Sequence, residues 1–238
     1  MDVTTPYDEL FDGLELLAPG TPEITRAMAQ WTGMKAGTRV LDLGAGSGRS
    51  AVQWVVETGC RVVAIEKSPR MAARIGERAV NAGVGAWVEV VVGDMRTWEP
   101  GPADVVASEG AVYVMGFEAA ARRYWSFLRP GGFFAATQLS YAVPGASEAR
   151  AFWEREGAFF TIDENVAMLR GLGYDVTHVE ALPREAWEAY YGPVLRRIEP
   201  VDDAVTVGMK EEARMQLDRA GWRDAPYVLY VGRALKKI

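Results

Sequence analysis

The stretch Val40-Leu41-Asp42-Leu43-Gly44-Ala45-Gly46-Ser47-Gly48-Arg49 constrains this chain more than any other. Its apolar run, Val40 to Leu43, reads as a buried strand with one carboxylate set into it. Glycines follow at alternate positions, and Ser47 to Thr58 reads as a helix. Strand, glycine turn and helix are the opening of a βαβ unit. The glycines permit a tight turn and let a ligand come close to the main chain. Free N–H groups at the helix start can bond that ligand. A dinucleotide fingerprint would put its third glycine at position 49, where Arg49 stands, so the spacing disfavours a nicotinamide dehydrogenase.

The rhythm continues. Arg61 to Ile65 is a second strand ending in Glu66, and Ser68-Pro69 caps a helix to about Asn81. Trp87 to Val92 is a third strand ending at Gly93-Asp94, and Ala103 to Ala107 a fourth. A helix runs from Gly116 or Phe117 to Leu128. Arg129-Pro130-Gly131-Gly132 reads as a turn and Phe133 to Leu139 as a fifth strand. Short apolar strands alternating with helices imply a parallel sheet covered on both faces. Beyond residue 140 two helices (Glu148 to Glu156, Ile162 to Arg170) interrupt the pattern. Then come a sixth strand from Tyr174 to Glu180, a helix from Leu182 to Glu199 broken at Gly192-Pro193, a helix from Val205 to Ala220 ended by Gly221, and a last strand from Ala225 to Leu235. Before the first strand, Thr21-Pro22-Glu23 opens a helix to about Gly33, and Tyr7, Leu10, Phe11, Leu14 and Leu17 are spaced to share one apolar helical face.

Three further positions bear on chemistry. Glu66 stands twenty-two residues after Gly44 at the C-terminal end of a strand, where open α/β sheets bind ligands. Asp94 ends the third strand and is followed by the apolar Met95. Leu128-Arg129-Pro130-Gly131-Gly132 precedes the fifth strand. Together with the glycine loop, in this order and at this spacing, they resemble the motif series of the class I S-adenosylmethionine-dependent methyltransferases over about residues 38–139.

The resemblance implies an α/β fold: a Rossmann-like, seven-stranded, mostly parallel sheet with helices on both faces. It implies S-adenosyl-L-methionine as cofactor and S-adenosyl-L-homocysteine as product. The expected cofactor site is Asp42, Gly44, Ala45, Gly46, Gly48, Glu66, Lys67, Asp94, Met95 and Glu109, with Asp42 facing the cofactor ammonium, Glu66 the ribose hydroxyls, and Asp94 and Met95 the adenine. No metal ligand is expected. Ser108-Glu109-Gly110-Ala111-Val112-Tyr113 follows strand four, where this family faces the transferred methyl group, so Glu109 and Tyr113 are the catalytic candidates. Glu109 is suited to orient or deprotonate an acceptor, or to bind the cofactor ammonium; Tyr113 to position an acceptor. The Asn-Pro-Pro-Tyr or Asp-Pro-Pro-Tyr signature of nucleic-acid amino-methyltransferases is absent there. The Ser-Glu-Gly-Ala-x-Tyr segment, with Leu182-Pro183, Trp187 and Tyr190-Tyr191, is similar to a bacterial and archaeal group of small methyltransferases and supplies no substrate.

The additions are rich in aromatic residues. Trp187, Tyr190 and Tyr191 fall on one helical face, and their polar tips suit a pocket edge. Phe152, Phe159 and Phe160 read as core. The chain is expected to form one domain over 1–238, with a cofactor core at 36–139. Helical additions at 140–200, joined by the segment around Tyr7 and Phe11, should cover the strand ends. Tyr7, Phe11, Tyr141, Trp187, Tyr190 and Tyr191 are the expected acceptor contacts.

Composition sets the remaining bounds. The 238 residues carry a net charge of −6, which with the missing signature argues against a nucleic-acid partner. The single cysteine, Cys60, excludes an internal disulfide. No apolar run reaches the length of a membrane span, and the N-terminus lacks a secretory pattern. A cytoplasmic enzyme, monomer or homodimer, is expected to methylate a small-molecule O, N or C nucleophile. An aminopropyltransferase of the same fold, a protein methyltransferase and a non-catalytic cofactor-binding protein are the alternatives.

Overall fold

The computed structural model describes residues 10–198 and 204–235. Tyr7 lies outside the described residues.

Seven strands form one sheet: β1 (Arg39–Leu43), β2 (Arg61–Glu66), β3 (Val88–Val92), β4 (Ala103–Ser108), β5 (Leu128–Leu139), β6 (Tyr174–Ala181) and β7 (Tyr227–Ala234), in the order β3-β2-β1-β4-β5-β7-β6. The first five pair in parallel, and β7 runs antiparallel between β5 and β6. The expected mostly parallel sheet is therefore present. The chain order reverses direction at the β1–β4 pair, where Asp42 lies beside Ala107. Such a switch point opens a crevice beyond the strand ends.

Strand residues alternate between the two faces. Leu41, Leu43, Val63, Ile65, Val106 and Phe134 enter one core, under α4 (Phe117–Trp125) and α6 (Ile162–Gly171). Val40, Val62, Ala64, Val105 and Ala107 enter the other, under α1 (Pro22–Trp31) and α2 (Arg49–Thr58). Local signals start the helices as expected: Thr21 Oγ1 accepts from the Ile24 N–H at 3.3 Å, and Ser68 Oγ from Met71 at the head of α3 (Pro69–Asn81). His178 stacks flat on Trp31 with ring centroids 4.5 Å apart, the packed strand role that its position implies.

A third core cluster gathers Phe11, Leu139, Tyr141, Phe152, Trp153 and the aromatic face of α7 (Arg184–Ile198). α5 (Glu148–Trp153) and α8 (Ala204–Ala213) pack with it.

The structure corrects four boundaries. The Arg129-Pro130-Gly131-Gly132 turn lies inside β5 as a register shift opposite Ala103 to Val105. Pro193 does not break α7; Trp187, Tyr190, Tyr191, Val194 and Ile198 are buried along one face, and that packing outweighs the one hydrogen bond a proline removes. The helix expected to reach Ala220 stops at Ala213, passes through a π-helical turn over Arg214–Asp218, and restarts as α9 (Gly221–Asp224) rather than ending at Gly221. Finally, from Phe11 to Gly20 the chain runs as turns and bends, with Gly13 and Pro19 in it, so Phe11, Leu14 and Leu17 do not share a helical face.

Candidate active site

A cavity of about 280 Å³ lies at the switch point. Its floor is the glycine turn and its rim the ends of β2, β3 and β4. Gly44, Ala45, Gly46, Glu66, Lys67 and Asp94 line it, as do Met95, Glu109 and Tyr113. The structure thus brings together nine of the residues that the sequence singles out.

Each is held by its neighbours. Glu66 Oε2 accepts from the Gly46 N–H and Oε1 from the Ser68 N–H, both at 2.9 Å. Two backbone donors fix the carboxylate, and each oxygen retains a lone pair for a ligand. Gly46 adopts φ +56°, and a Cβ there would lie 2.7 Å from Leu17 Cδ1. The glycine therefore admits a covering strap, Glu15 to Pro19, that forms the cavity roof. Ser47 Oγ donates to the Glu15 carbonyl at 3.2 Å, and Arg78 pairs with Glu15 at 2.8 Å.

Two carboxylates have buried, unpartnered oxygens. Glu109 Oε2 accepts from Arg49 at 2.9 Å and Thr25 at 3.1 Å, whereas its Oε1 has no partner. Asp42 Oδ2 is likewise without one. Burial pushes the Asp42 carboxyl well up, and the nearby Glu109 and Glu66 carboxylates add to it. Burial also raises Glu109, against the pull of Arg49. A buried acceptor without a donor is costly, so Glu109 Oε1, on the cavity wall, suits a hydrogen-bond donor or cation, and Asp42 behind it adds to the negative field there.

Several expectations change. Asp42 is 2% exposed and lies behind the cavity wall rather than on it. Gly48 faces helix α3: a Cβ there would meet Ile75 Cγ2 at 2.8 Å, so its role is packing. Both Asp94 oxygens are taken by the Arg96 guanidinium, which holds the carboxyl far below its usual range, and Oδ1 also accepts the Arg96 N–H. An adenine amine there would share the carboxylate with Arg96. Glu118, in the first turn of α4, pairs with Arg122 one turn on.

The expected acceptor contacts do not come to this cavity. Trp187 and Tyr191 stack with centroids 6.0 Å apart, Phe11 stacks on Tyr190, and Tyr141 is 1% exposed. They fill the third core, because an apolar stripe at helical spacing buries itself before it serves a ligand. The roof, Leu16, Leu17, Ala18 and Pro19, comes from the N-terminal segment, a few residues past Phe11; the cations Arg49 and Arg96 carried no expectation as site residues. The turn-rich composition of residues 13–20 was the available signal for the roof.

Among the described residues no group of three His, Cys, Asp or Glu side chains is placed to hold a metal ion, and no helix is long and apolar enough to cross a membrane.

Comparison with known proteins gives the same picture. A family model described as a methyltransferase domain matches residues 40–132. The Escherichia coli (strain K12) protein YjhP, described as uncharacterized, is 30% identical over 177 residues, 72% of this chain and 71% of that protein. A trans-aconitate 2-methyltransferase of Mycobacterium marinum is 28% identical over 210 residues, covering 80% of this chain and 73% of that one. A SAM-dependent methyltransferase from Thiobacillus denitrificans, solved with S-adenosyl-L-homocysteine, superposes with a TM-score of 0.80 at 24% identity, over 98% of this chain and all of that one (100%).

Proposed function

Since the chain belongs to the class I S-adenosylmethionine-dependent methyltransferases, we propose that the switch-point cavity binds S-adenosylmethionine and that the methyl group passes to a small-molecule nucleophile. The observation that carries this reading is the pair of orphaned buried oxygens, Glu109 Oε1 on the cavity wall and Asp42 Oδ2 behind it. That arrangement fits a ligand bearing an ammonium and a sulfonium. When bound, the cofactor supplies a methyl carbon already activated by positive sulfur. An acceptor lone pair forms the new bond while the C–S pair returns to sulfur.

The chain's own residues bind, align and exclude water. Glu66, fixed by the Gly46 and Ser68 N–H groups, presents its remaining lone pairs to the ribose hydroxyls. Met95 packs against the base. Glu109, buttressed by Arg49 and Thr25, takes the ammonium through Oε1. That leaves Tyr113, on the rim, as the residue that positions an acceptor. The strap from Glu15 to Pro19 keeps water from the reacting atoms. The enzyme acts in the cytoplasm, as a monomer or homodimer, and not on nucleic acid.

Incubation of the protein with methyl-labelled S-adenosylmethionine and a fractionated cell extract tests this reading. Label should enter the small-molecule fraction. Label entering only protein or nucleic acid would overturn it, and so would cofactor binding without any transfer.

A further inference from the structure

A second cavity of about 480 Å³ adjoins the first, and Tyr113 lines both. It lies between the start of α4 and residues 156–160, over the end of β5. Three features define what it can hold.

The first is Gln138. It is 5% exposed, lies on the cavity wall, and its Oε1 is buried with no partner. A buried amide oxygen in this state is completed by a ligand that donates a hydrogen bond. The second is the apolar lining of Phe117, Phe159 and Phe160, which suits a hydrocarbon or aromatic body, and whose ring faces attract cations.

The third is charge. Every cation lining the two cavities already holds a carboxylate: Arg49 pairs with Glu109 at 2.9 Å, Arg96 and Lys67 with Asp94 at 2.5 and 3.7 Å, and Arg122 with Glu118 at 2.6 Å. Glu156, on the second cavity's wall, has no cationic partner among the described residues. Bringing a polycarboxylate into such walls sets like charges together and leaves them unpaired, at high cost.

We propose that the second cavity seats the methyl acceptor and that the acceptor is an amine on an apolar body, its N–H donated to Gln138 Oε1 and its positive form held beside Glu156. This rests on the methyltransferase reading above and names the substrate class of that site. The amine binds as the ammonium and gives one proton to water. Its nitrogen lone pair then forms the C–N bond as the C–S bond breaks with its pair kept on sulfur. The methylated ammonium is the product.

Calorimetry on the full chain tests the proposal, with phenethylamine, phenylacetate and trans-aconitate as probes and S-adenosylhomocysteine titrated in parallel. Phenethylamine should bind and the two carboxylates should not. Gln138→Leu should weaken phenethylamine binding roughly ten- to a hundred-fold, the effect of losing a buried hydrogen bond to a charged group, and Glu156→Gln, at an exposed carboxylate, by up to about five-fold at low salt. S-adenosylhomocysteine affinity should not change. Gln138→Leu should also melt no lower than wild type, because it removes an unsatisfied oxygen; a lower melting temperature would mean that the amide serves the fold and would overturn its assignment. If S-adenosylhomocysteine binds while phenethylamine does not, or if phenylacetate or trans-aconitate binds instead, the amine inference fails alone. If S-adenosylhomocysteine does not bind, the methyltransferase reading fails and takes the acceptor assignment with it.

Discussion

Arg49 Nη2 lies 2.9 Å from Glu109 Oε2, joining the first turn of α2 to the end of β4 across the cavity. Both side chains are largely buried, and the other Glu109 oxygen has no partner. Position 49 is also where the glycine spacing departs from the dinucleotide pattern, so one residue both breaks that pattern and braces the site.

Breaking this pair from the cationic side should therefore be worse than neutralising the acid. Arg49→Met leaves a buried carboxylate without its cation and should destabilise the protein by about 3 kcal/mol. Glu109→Gln keeps acceptors for Arg49 and Thr25 and should cost about 1 kcal/mol. Denaturant titration of both variants checks the order; equal losses would mean that Arg49 does not compensate the buried Glu109 charge.

Stability should fall with pH on the acid side of neutrality because of Glu212. Burial pushes its carboxyl up to about 7, while the Tyr191 hydroxyl, 3.1 Å away, pulls it down. The folded chain then binds this proton more tightly than the unfolded chain, whose carboxyl titrates near 4.5. Its contribution is present below about 4.5, is lost as pH rises to about 7, and is flat above. The difference is at most about 3 kcal/mol, and about 1–2 kcal/mol for a group that water still reaches. Glu212→Gln should flatten the slope of melting temperature between pH 5 and pH 7 (about the window set by the two values); an unchanged slope would assign it to another group.

Glycines with the same backbone conformation should differ in their tolerance of alanine. Gly48 and Gly83 have φ +76° and +71°, but a Cβ at Gly48 meets Ile75 whereas one at Gly83 meets nothing within 4 Å. Gly83→Ala should cost about 1 kcal/mol of backbone strain, and Gly48→Ala about 1–3 kcal/mol more from overpacking. Thermal melts of the two single variants measure the difference. Equal costs would place Ile75 away from the turn.

The strap over the cavity is latched by α3. Arg70, Arg74 and Arg78 stand one turn apart; Arg70 pairs with Asp12, Arg78 with Glu15, and Arg74 reaches the Phe11 and Leu14 carbonyls at 3.4 and 3.5 Å. The two ion pairs each have a half- or more-exposed carboxylate within reach of water, so each is worth about 0–1 kcal/mol and is screened by salt. Arg70→Ala with Arg78→Ala should raise the dissociation constant of S-adenosylhomocysteine by up to about ten-fold at low salt and less at high salt, with little change in melting temperature. A salt-independent loss would point to packing rather than charge.

The glycine turn, Glu66 and the alternating apolar runs were readable because each rests on local rules: strand period, turn conformation and the position of an acid at a strand end. Pro193 and Gly221 misled because the fold decided them, one by burial of the α7 aromatic face and the other by a π-helical turn. Trp187 and Tyr191 look alike as a core stripe and as a pocket edge until their neighbours are known. Arg96 at Asp94 and Leu17 over Gly46 are contacts between segments, which spacing along one chain does not encode.

Gly46→Val is a poor probe of the cofactor, since its side chain would strike Leu17 before any ligand. Glu66 is the sharper one, and calorimetric titration of S-adenosylhomocysteine into wild type and Glu66→Gln, with NADH as competitor, tests the central claim most directly. Wild type should bind in the micromolar range, Glu66→Gln should lose about 1.5–3 kcal/mol, and NADH should not displace the ligand. Absence of binding to wild type, an unchanged affinity in folded Glu66→Gln, or displacement by NADH would contradict the assignment of this cavity.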